Sequence, residues 1–361
     1  MIQYKGLTAE ELGITNAEIT AHPEIRFYNV KEEPFRVYGL YDIHNQDHYI
    51  RIPQSVAAAT SDNVKGLNNC TAGGRVRFVT SSSYVAIKCV TTSSAKMTNM
   101  CLIGSSGFDM YTKRNGRETF AGIFTPTYDY KEGYAAIRPI LNNPQKGERE
   151  ITINFPLYSG CVELYIGLDE NATLSRHPDY KYEKPVVYYG SSITQGGCAS
   201  RPGMAYESII ARRLDGNYVN LGFSGSAKAE DAMIEYLASL DYSVFVSDYD
   251  HNAPNAEHLQ NTHEKLYKAI RAAHPDVPVV FVTKPDFWLT TPDCMQRRDI
   301  IYTTYNNARQ RGEKVLFVDG YSLFEGEMRE ECTVDGCHPN DLGMARMADV
   351  IGKAVDFALS M

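Results

Sequence analysis

The sequence predicts an α/β fold in two parts: a carboxyl-terminal parallel sheet with helices on both faces, preceded by an all-β sandwich of the jelly-roll type. Three observations point to this. Residues from about 25 to 170 run as short segments, many alternating polar with apolar, between turn-forming residues. From about 185 onward, runs that are apolar on both faces alternate with helix-length stretches. Finally, 361 residues exceed what one core usually organises, and the polar stretch "DENATLSRHPDYKYEKP" reads as the join. The expected domains are therefore 1–180 and 181–361.

In chain order, the first half offers the strands "FRVYGLY", "YIRIP", "RVRFVTS", "YVAIKCV", "FDMYTK", "REITINFPLY" and "VELYIGL", with few helical stretches between them. In "RVRFVTS", Arg75, Arg77 and Thr80 set against Val76, Phe78 and Val79 predict a sheet with one wet face. The second half offers "VVYYG", "YVNLG", "YSVFVSD", "PVVFVTK" and "KVLFVDG", each followed by a helical stretch, the pattern of a buried parallel sheet. The last helix carries Met347, Val350, Ile351, Ala354, Val355 and Ala358 on one face at a 3.6 period. No internal repeat or low-complexity tract interrupts either half.

Composition narrows the function. With 43% hydrophobic and 22% charged residues the chain reads as an ordinary globular protein, and a net charge of −8 disfavours nucleic acid and anionic membranes as partners. No run approaches the ~18 apolar residues of a membrane span. The start, "MIQYKGLTAEELG", lacks the basic and then apolar pattern of a secretory signal, so the cytoplasm is the expected location. Eight cysteines lie scattered at 70, 89, 101, 161, 198, 294, 332 and 337 without a CxxC pair, which predicts free, mostly buried thiols and no structural metal. No motif calls for a cofactor; neither GxGxxG nor GxxxxGK[ST] is present.

In an open parallel sheet, ligands gather at the carboxyl ends of the strands. Here that edge collects "GSSITQGG", "GFSGSAK", "DYDHNAPN" and "KPDFW", with "DGCHPND" before the last helix. Ester hydrolysis by a serine needs a hydroxyl, a base, a group that orients the base, and donors for an oxyanion. Ser192 offers the hydroxyl and His338 the imidazole. Asp335, three residues earlier on the same loop, is placed to reach the ring Nδ1–H. Gly336 allows a tight turn there, and Pro339 keeps His338 off the following helix. The glycine-rich turn at 222–226 can present backbone N–H groups, and Asn252 a side-chain amide. Thr194 is expected to be a structural hydrogen-bonder. Phe287 and Trp288 are expected in the core, with a wall for an acyl or sugar group as the lesser reading.

These segments resemble the SGNH or GDSL-type hydrolases. "GSSITQG" matches the first family block with Ser192 as nucleophile, "NLGFSGSA" the second with Gly225, "DYDHNAP" the third with Asn252, and "DGCHP" the fifth with Asp335 and His338. In the first half, "GFDMY" is similar to the Gly-x-Asp-Leu-Tyr signature of a β domain found ahead of some of these hydrolases; Asp109 and Tyr111 in it are expected to hold the fold. The resemblance implies a flavodoxin-like three-layer domain. It also implies a Ser192–His338–Asp335 triad and an oxyanion hole from the N–H groups of Ser192 and Gly225 and the Asn252 amide. The expected substrates are short acyl esters, with O-acetyl groups of carbohydrates leading and acyl transfer as runner-up. Two positions depart from the family: Ser191 replaces an aspartate and Asp250 a glycine.

Three rivals remain on sequence grounds. Ser224 in "GFSGS" is placed like an α/β-hydrolase nucleophile, though Ser226 stands where that motif needs glycine. Asp248, Asp250, His251 and His338 offer ligands for a metal-dependent hydrolase. The third is a carbohydrate-binding protein with an idle hydrolase domain. The oligomeric state is not legible.

Overall fold

The computed structural model describes residues 5–140, 147–285 and 293–361. The chain forms two compact units: Met1–Arg51, Asn69–Asp179 and Arg201–Gly203 in one, and Ile52–Asn68, Tyr180–Ser200 and Met204–Met361 in the other. It therefore passes from one unit to the other several times rather than once.

The first unit is built on two antiparallel sheets. One orders Ile25–Asn29, Glu163–Asp169, Tyr84–Val90 and Gly133–Pro139; the other orders Leu174–Ser175, Arg75–Thr80, Arg149–Asn154, Phe108–Arg114 and Arg117–Phe124, with Arg36–Tyr38 also paired to Arg75–Thr80. Side chains from both sheets, among them Val76, Phe78, Ile151 and Ile153 against Val85, Ile87, Leu164 and Ile166, make one core. The wet face expected for the strand Arg75–Thr80 is not wet. Arg75 and Arg77 are both 2% exposed and Thr80 is buried. Arg75 donates to the Gly73 carbonyl and lies over the ring of its cross-strand partner Tyr38, so its charge is spent on immediate neighbours. "YIRIP" forms no strand: Ile50 makes an isolated bridge to Tyr41, and the chain turns into helices Gln54–Thr60 and Asp62–Leu67, which belong to the second unit. The signal for the break was present in Pro53 and in Ser61, whose hydroxyl caps the second helix by accepting the Val64 N–H.

In the second unit the strands Tyr182–Gly190, Gly216–Gly222, Val244–Asp248, Val279–Val282 and Val315–Val318 are all parallel. Numbered by appearance, they lie in the order 2-1-3-4-5. This is the flavodoxin-like doubly wound order, with its switch point outside the carboxyl ends of the first and third strands. Successive residues serve opposite faces. Val187 and Tyr189 join Leu221, Phe245 and Phe281 beneath the helices Asp231–Ser239, Ala256–Ala273 and Cys294–Gln310, and Ala57 and Val64 enter the same core. Tyr188, between them, faces Tyr206 and Tyr218 edge-on, on the side of helices Tyr206–Leu214 and Asp341–Leu359. On that last helix Met347, Ile351, Val355 and Ala358 are buried as its period requires, while Val350 and Ala354 sit half-buried at the margin. None of the eight cysteines forms a disulfide, and six of them are buried. No described helix is long and apolar enough to cross a membrane.

Candidate active site

The first, second and third strands end in register, with Gly190 opposite both Gly222 and Asp248. Two backbone bonds and one from a side chain carry that register into the loops. Phe223 N–H donates to Gly190 O at 2.9 Å, Ser191 N–H donates to Asp248 O at 3.2 Å, and Asn252 Nδ2 donates to Phe223 O at 2.9 Å. A Cβ at Gly190 would collide with Thr194 Oγ1 and the Asp248 carbonyl, so only glycine lets the turn fold this tightly. The four-residue helix Ser192–Gln195 follows, capped at its start by Ser191 Oγ on the Ile193 N–H and at its end by Gly196 in the left-handed region. Ser192 thus stands at the first helical position, half-buried at the sheet edge.

His338 reaches it from the loop before the last helix. Ser192 Oγ and His338 Nε2 are 2.9 Å apart, and His338 Nδ1 and Asp335 Oδ2 are 2.8 Å apart. A carboxylate only accepts, so Nδ1 carries the ring proton and Nε2 is left as the acceptor for the serine hydroxyl. The other oxygen of Asp335 accepts the backbone N–H groups of Cys337 and His338 at 3.1 and 2.8 Å. One side chain therefore shapes the loop and orients the ring. Asn340 caps the final helix on Leu342 and Gly343, and the next residue, Asp341, accepts both the N–H and the hydroxyl of Ser200 at 2.9 and 2.5 Å. That two-point clamp ties the loop after Ser192 to the helix after His338, and nothing in the sequence pattern signals it.

Of the expected oxyanion donors, Gly225 lies at φ +68° with open space around it, and its N–H has no acceptor among the described residues. The Asn252 amide is held through Phe223, two residues before Gly225. The rivals fare differently. Ser224 donates its N–H to the Gln195 side chain, and no histidine bonds its hydroxyl among the described residues. Asp248, Asp250, His251 and His338 do not gather as one ligand set: Asp248 is turned to Thr194 and Tyr206, Asp250 to the Lys284 N–H, and His251 Nδ1 to Cys337 Sγ at 3.9 Å. Phe287 and Trp288 lie outside the described residues.

Residues 183–356 match the model of the GDSL-like Lipase/Acylhydrolase family, and residues 25–174 match GxDLY, the N-terminus of Esterase_SGNH_hydro-type. Residues 183–356 belong to the GDSL-like hydrolases. A GDSL-like lipase from Bacteroides ovatus is 26% identical over 93% of this chain and 98% of its own, with a TM-score of 0.81. A salicylyl-acyltransferase from a tetracycline biosynthetic pathway is 17% identical over 92% of this chain and 97% of its own, with a TM-score of 0.75. A family two carbohydrate esterase from Clostridium thermocellum, in complex with cellohexaose, is 13% identical over 90% and 99%, with a TM-score of 0.60. The last two share the fold. No curated protein sequence matches the chain.

The two departures from the family pattern acquire a physical account in this hydrolase. Ser191 keeps the capping role of a short polar residue, and a carboxyl group reaches the turn from beneath instead. Asp248 Oδ2 accepts from Thr194 Oγ1 at 3.1 Å and from Tyr206 OH at 3.2 Å, while its backbone carbonyl holds Ser191. Burial, then the charge of Asp250, holds the Asp248 carboxyl well above the usual carboxylate range. Asp250 itself points inward: it is 2% exposed, accepts the Lys284 N–H at 3.0 Å, and its carbonyl accepts from Arg297 at 2.6 Å. Burial pushes its carboxyl up to about 6, opposed by the Lys284 N–H and by the charges of Lys284 and Arg297. His251 is held well below the ordinary histidine range by burial and by nearby positive charge. In the first unit, Asp109 is fully buried and accepts from Asn154 Nδ2 at 2.9 Å and from the Gly203 N–H at 2.8 Å, a structural role.

Two predictions follow from these carboxyls. Asp248→Asn preserves an acceptor for Thr194 and Tyr206 and resembles the neutral acid, so kcat should stay within a few-fold; Asp248→Ala should lower it by roughly 10–10², with KM little changed, because the Ser192 turn loses its support. Asp250 is neutral in both states below about pH 4, and between about 4 and 6 only the unfolded chain readily gives up the proton. Folding stability should therefore fall with rising pH across that window, by roughly 3 kcal/mol in all, and level off above it. Urea midpoints of the wild type and Asp250→Asn should diverge there; parallel curves would contradict the assignment.

Proposed function

We propose that the chain is a serine esterase that removes short acyl groups, foremost O-acetyl groups on carbohydrates, through Ser192, His338 and Asp335. The reading is carried by the unbroken hydrogen-bond chain from the Ser192 hydroxyl through the His338 ring to the Asp335 carboxylate. His338 Nε2 takes the serine proton as Ser192 Oγ attacks the ester carbonyl carbon, and Asp335 stabilises the imidazolium that forms. The developing oxyanion falls to the N–H groups of Ser192 and Gly225 and the free N–H of the Asn252 amide. The C–O bond to the alcohol breaks, His338 gives its proton to the leaving oxygen, and an acyl-serine remains. Water, deprotonated in turn by His338, attacks that ester and regenerates the hydroxyl. An alcohol in place of water would make the same site an acyltransferase.

The carbohydrate preference is supported by the shared fold with a carbohydrate esterase that binds cellohexaose. A purely sugar-binding reading has less behind it. In the β unit a cavity of about 600 Å³ is lined by Lys113, Glu148, Arg149, Glu150 and Arg176, with no aromatic platform for a sugar ring among the described lining residues.

Acetylated oligosaccharides and p-nitrophenyl acetate supply the test. Ser192→Ala should lower turnover by roughly 10⁴–10⁶ and abolish labelling by an active-site-directed fluorophosphonate. Asn252→Ala should retain the labelling and lose ~10²–10³ in kcat, the usual effect of one oxyanion donor. Undiminished labelling of Ser192→Ala would refute the nucleophile, and turnover of Asn252→Ala within a factor of about three would refute that donor.

A further inference from the structure

We infer that Cys198, Asp335 and His338 form an inhibitory site for a soft divalent cation such as zinc or cadmium. A thiol, a carboxylate and an imidazole from two segments far apart in the chain offer ligand atoms that all lie within 4.8 Å of one another. Around a tetrahedral zinc ion, bonds of about 2.0–2.3 Å place neighbouring ligands roughly 3–4 Å apart, so closure of the loop by about 1 Å completes three corners and leaves the fourth open. Cys198 follows the nucleophile helix after two glycines and is held with its backbone at φ +69°. Its side chain is buried, 7% exposed, whereas Asp335 is exposed and His338 half-buried, so an ion has a route in past the carboxylate. Sulfur beside imidazole selects soft and borderline cations over magnesium or calcium.

Occupation stops catalysis for a definite reason. The thiol loses its proton to solvent and the thiolate binds the ion. If the ion takes His338 Nε2, the lone pair that accepts the Ser192 proton is gone. If it takes Nδ1, the ring proton moves to Nε2 and the hydrogen bond to Asp335 is lost. Either way the ring can no longer act as the base. Inhibition rests on the esterase reading; binding does not.

The test uses the full-length protein stripped with chelator and then titrated with cadmium, following the thiolate-to-cadmium ultraviolet band, equilibrium dialysis, and hydrolysis of p-nitrophenyl acetate relative to each variant's own metal-free rate. Expected are one bound equivalent, a band that rises as hydrolysis falls, and reversal by EDTA. Cys198→Ala and the near-isosteric Cys198→Ser should lose the band and require roughly tenfold more cadmium or beyond for inhibition. Cys337→Ser, which changes the thiol beside His251, should keep both responses. A band and inhibition that persist in both Cys198 variants, or binding without any loss of rate, would overturn the proposal. If no variant hydrolyses ester at all, the esterase reading fails, and the cation site stands or falls on the band and the dialysis alone.

Discussion

Three adjacent parallel strands end level with one another, at Gly222, Gly190 and Asp248, and the rest of the site hangs from that alignment. Parallel pairing fixes the heights of the strand ends, and backbone and side-chain bonds from the following residues then leave the loops little choice. Phe223 binds back to Gly190, Ser191 to Asp248, and Asn252 to Phe223. A one-residue slip would turn every side chain on the central strand to the opposite face and take the Ser192 turn with it. The glycine at the centre is a steric necessity, because the Thr194 hydroxyl and the Asp248 carbonyl occupy the volume a side chain would need.

Around that edge the polar groups are arranged in depth. At the surface, Asp335 is a half-solvated acceptor that orients a ring, and its second oxygen organises the loop. In the interior, Asp248 and Asp250 sit where their charged forms are disfavoured, so they act chiefly as hydrogen-bonding supports for the turn above. The same residue type thus does opposite work, separated by the water available to it. The substitution of serine for the family's aspartate at 191 makes sense in that setting: a carboxyl group is still presented to the turn, from the neighbouring strand.

Much of this was legible in one dimension. The change from alternating to continuous apolar runs located the two folds, because a sheet buried on both faces has no use for polar alternation. The Asp335-x-x-His338-Pro339 spacing indicated its own local geometry, since a carboxylate three residues back can bond both the ring and the intervening amides. What escaped was non-local. The helices at 54–67 join the second unit's core although they lie far from it in sequence. Arg75 and Arg77 alternate like surface residues and are buried. Alternation reports a strand's own period and carries no information on what later lies across it.

Residue chemistry and local spacing by themselves determined the division of this chain into an alternating and a continuous strand pattern and the self-contained loop at His338, since each depends on contacts within a few residues. The meeting of hydroxyl and imidazole across 146 positions, the clamp of Asp341 on Ser200, the inward turn of Asp250 and the approach of Cys198 to the Asp335–His338 pair were decided only by the tertiary structure. Those contacts join segments whose separation along the chain sets no distance between them. Only the packing of the sheet and its helices does.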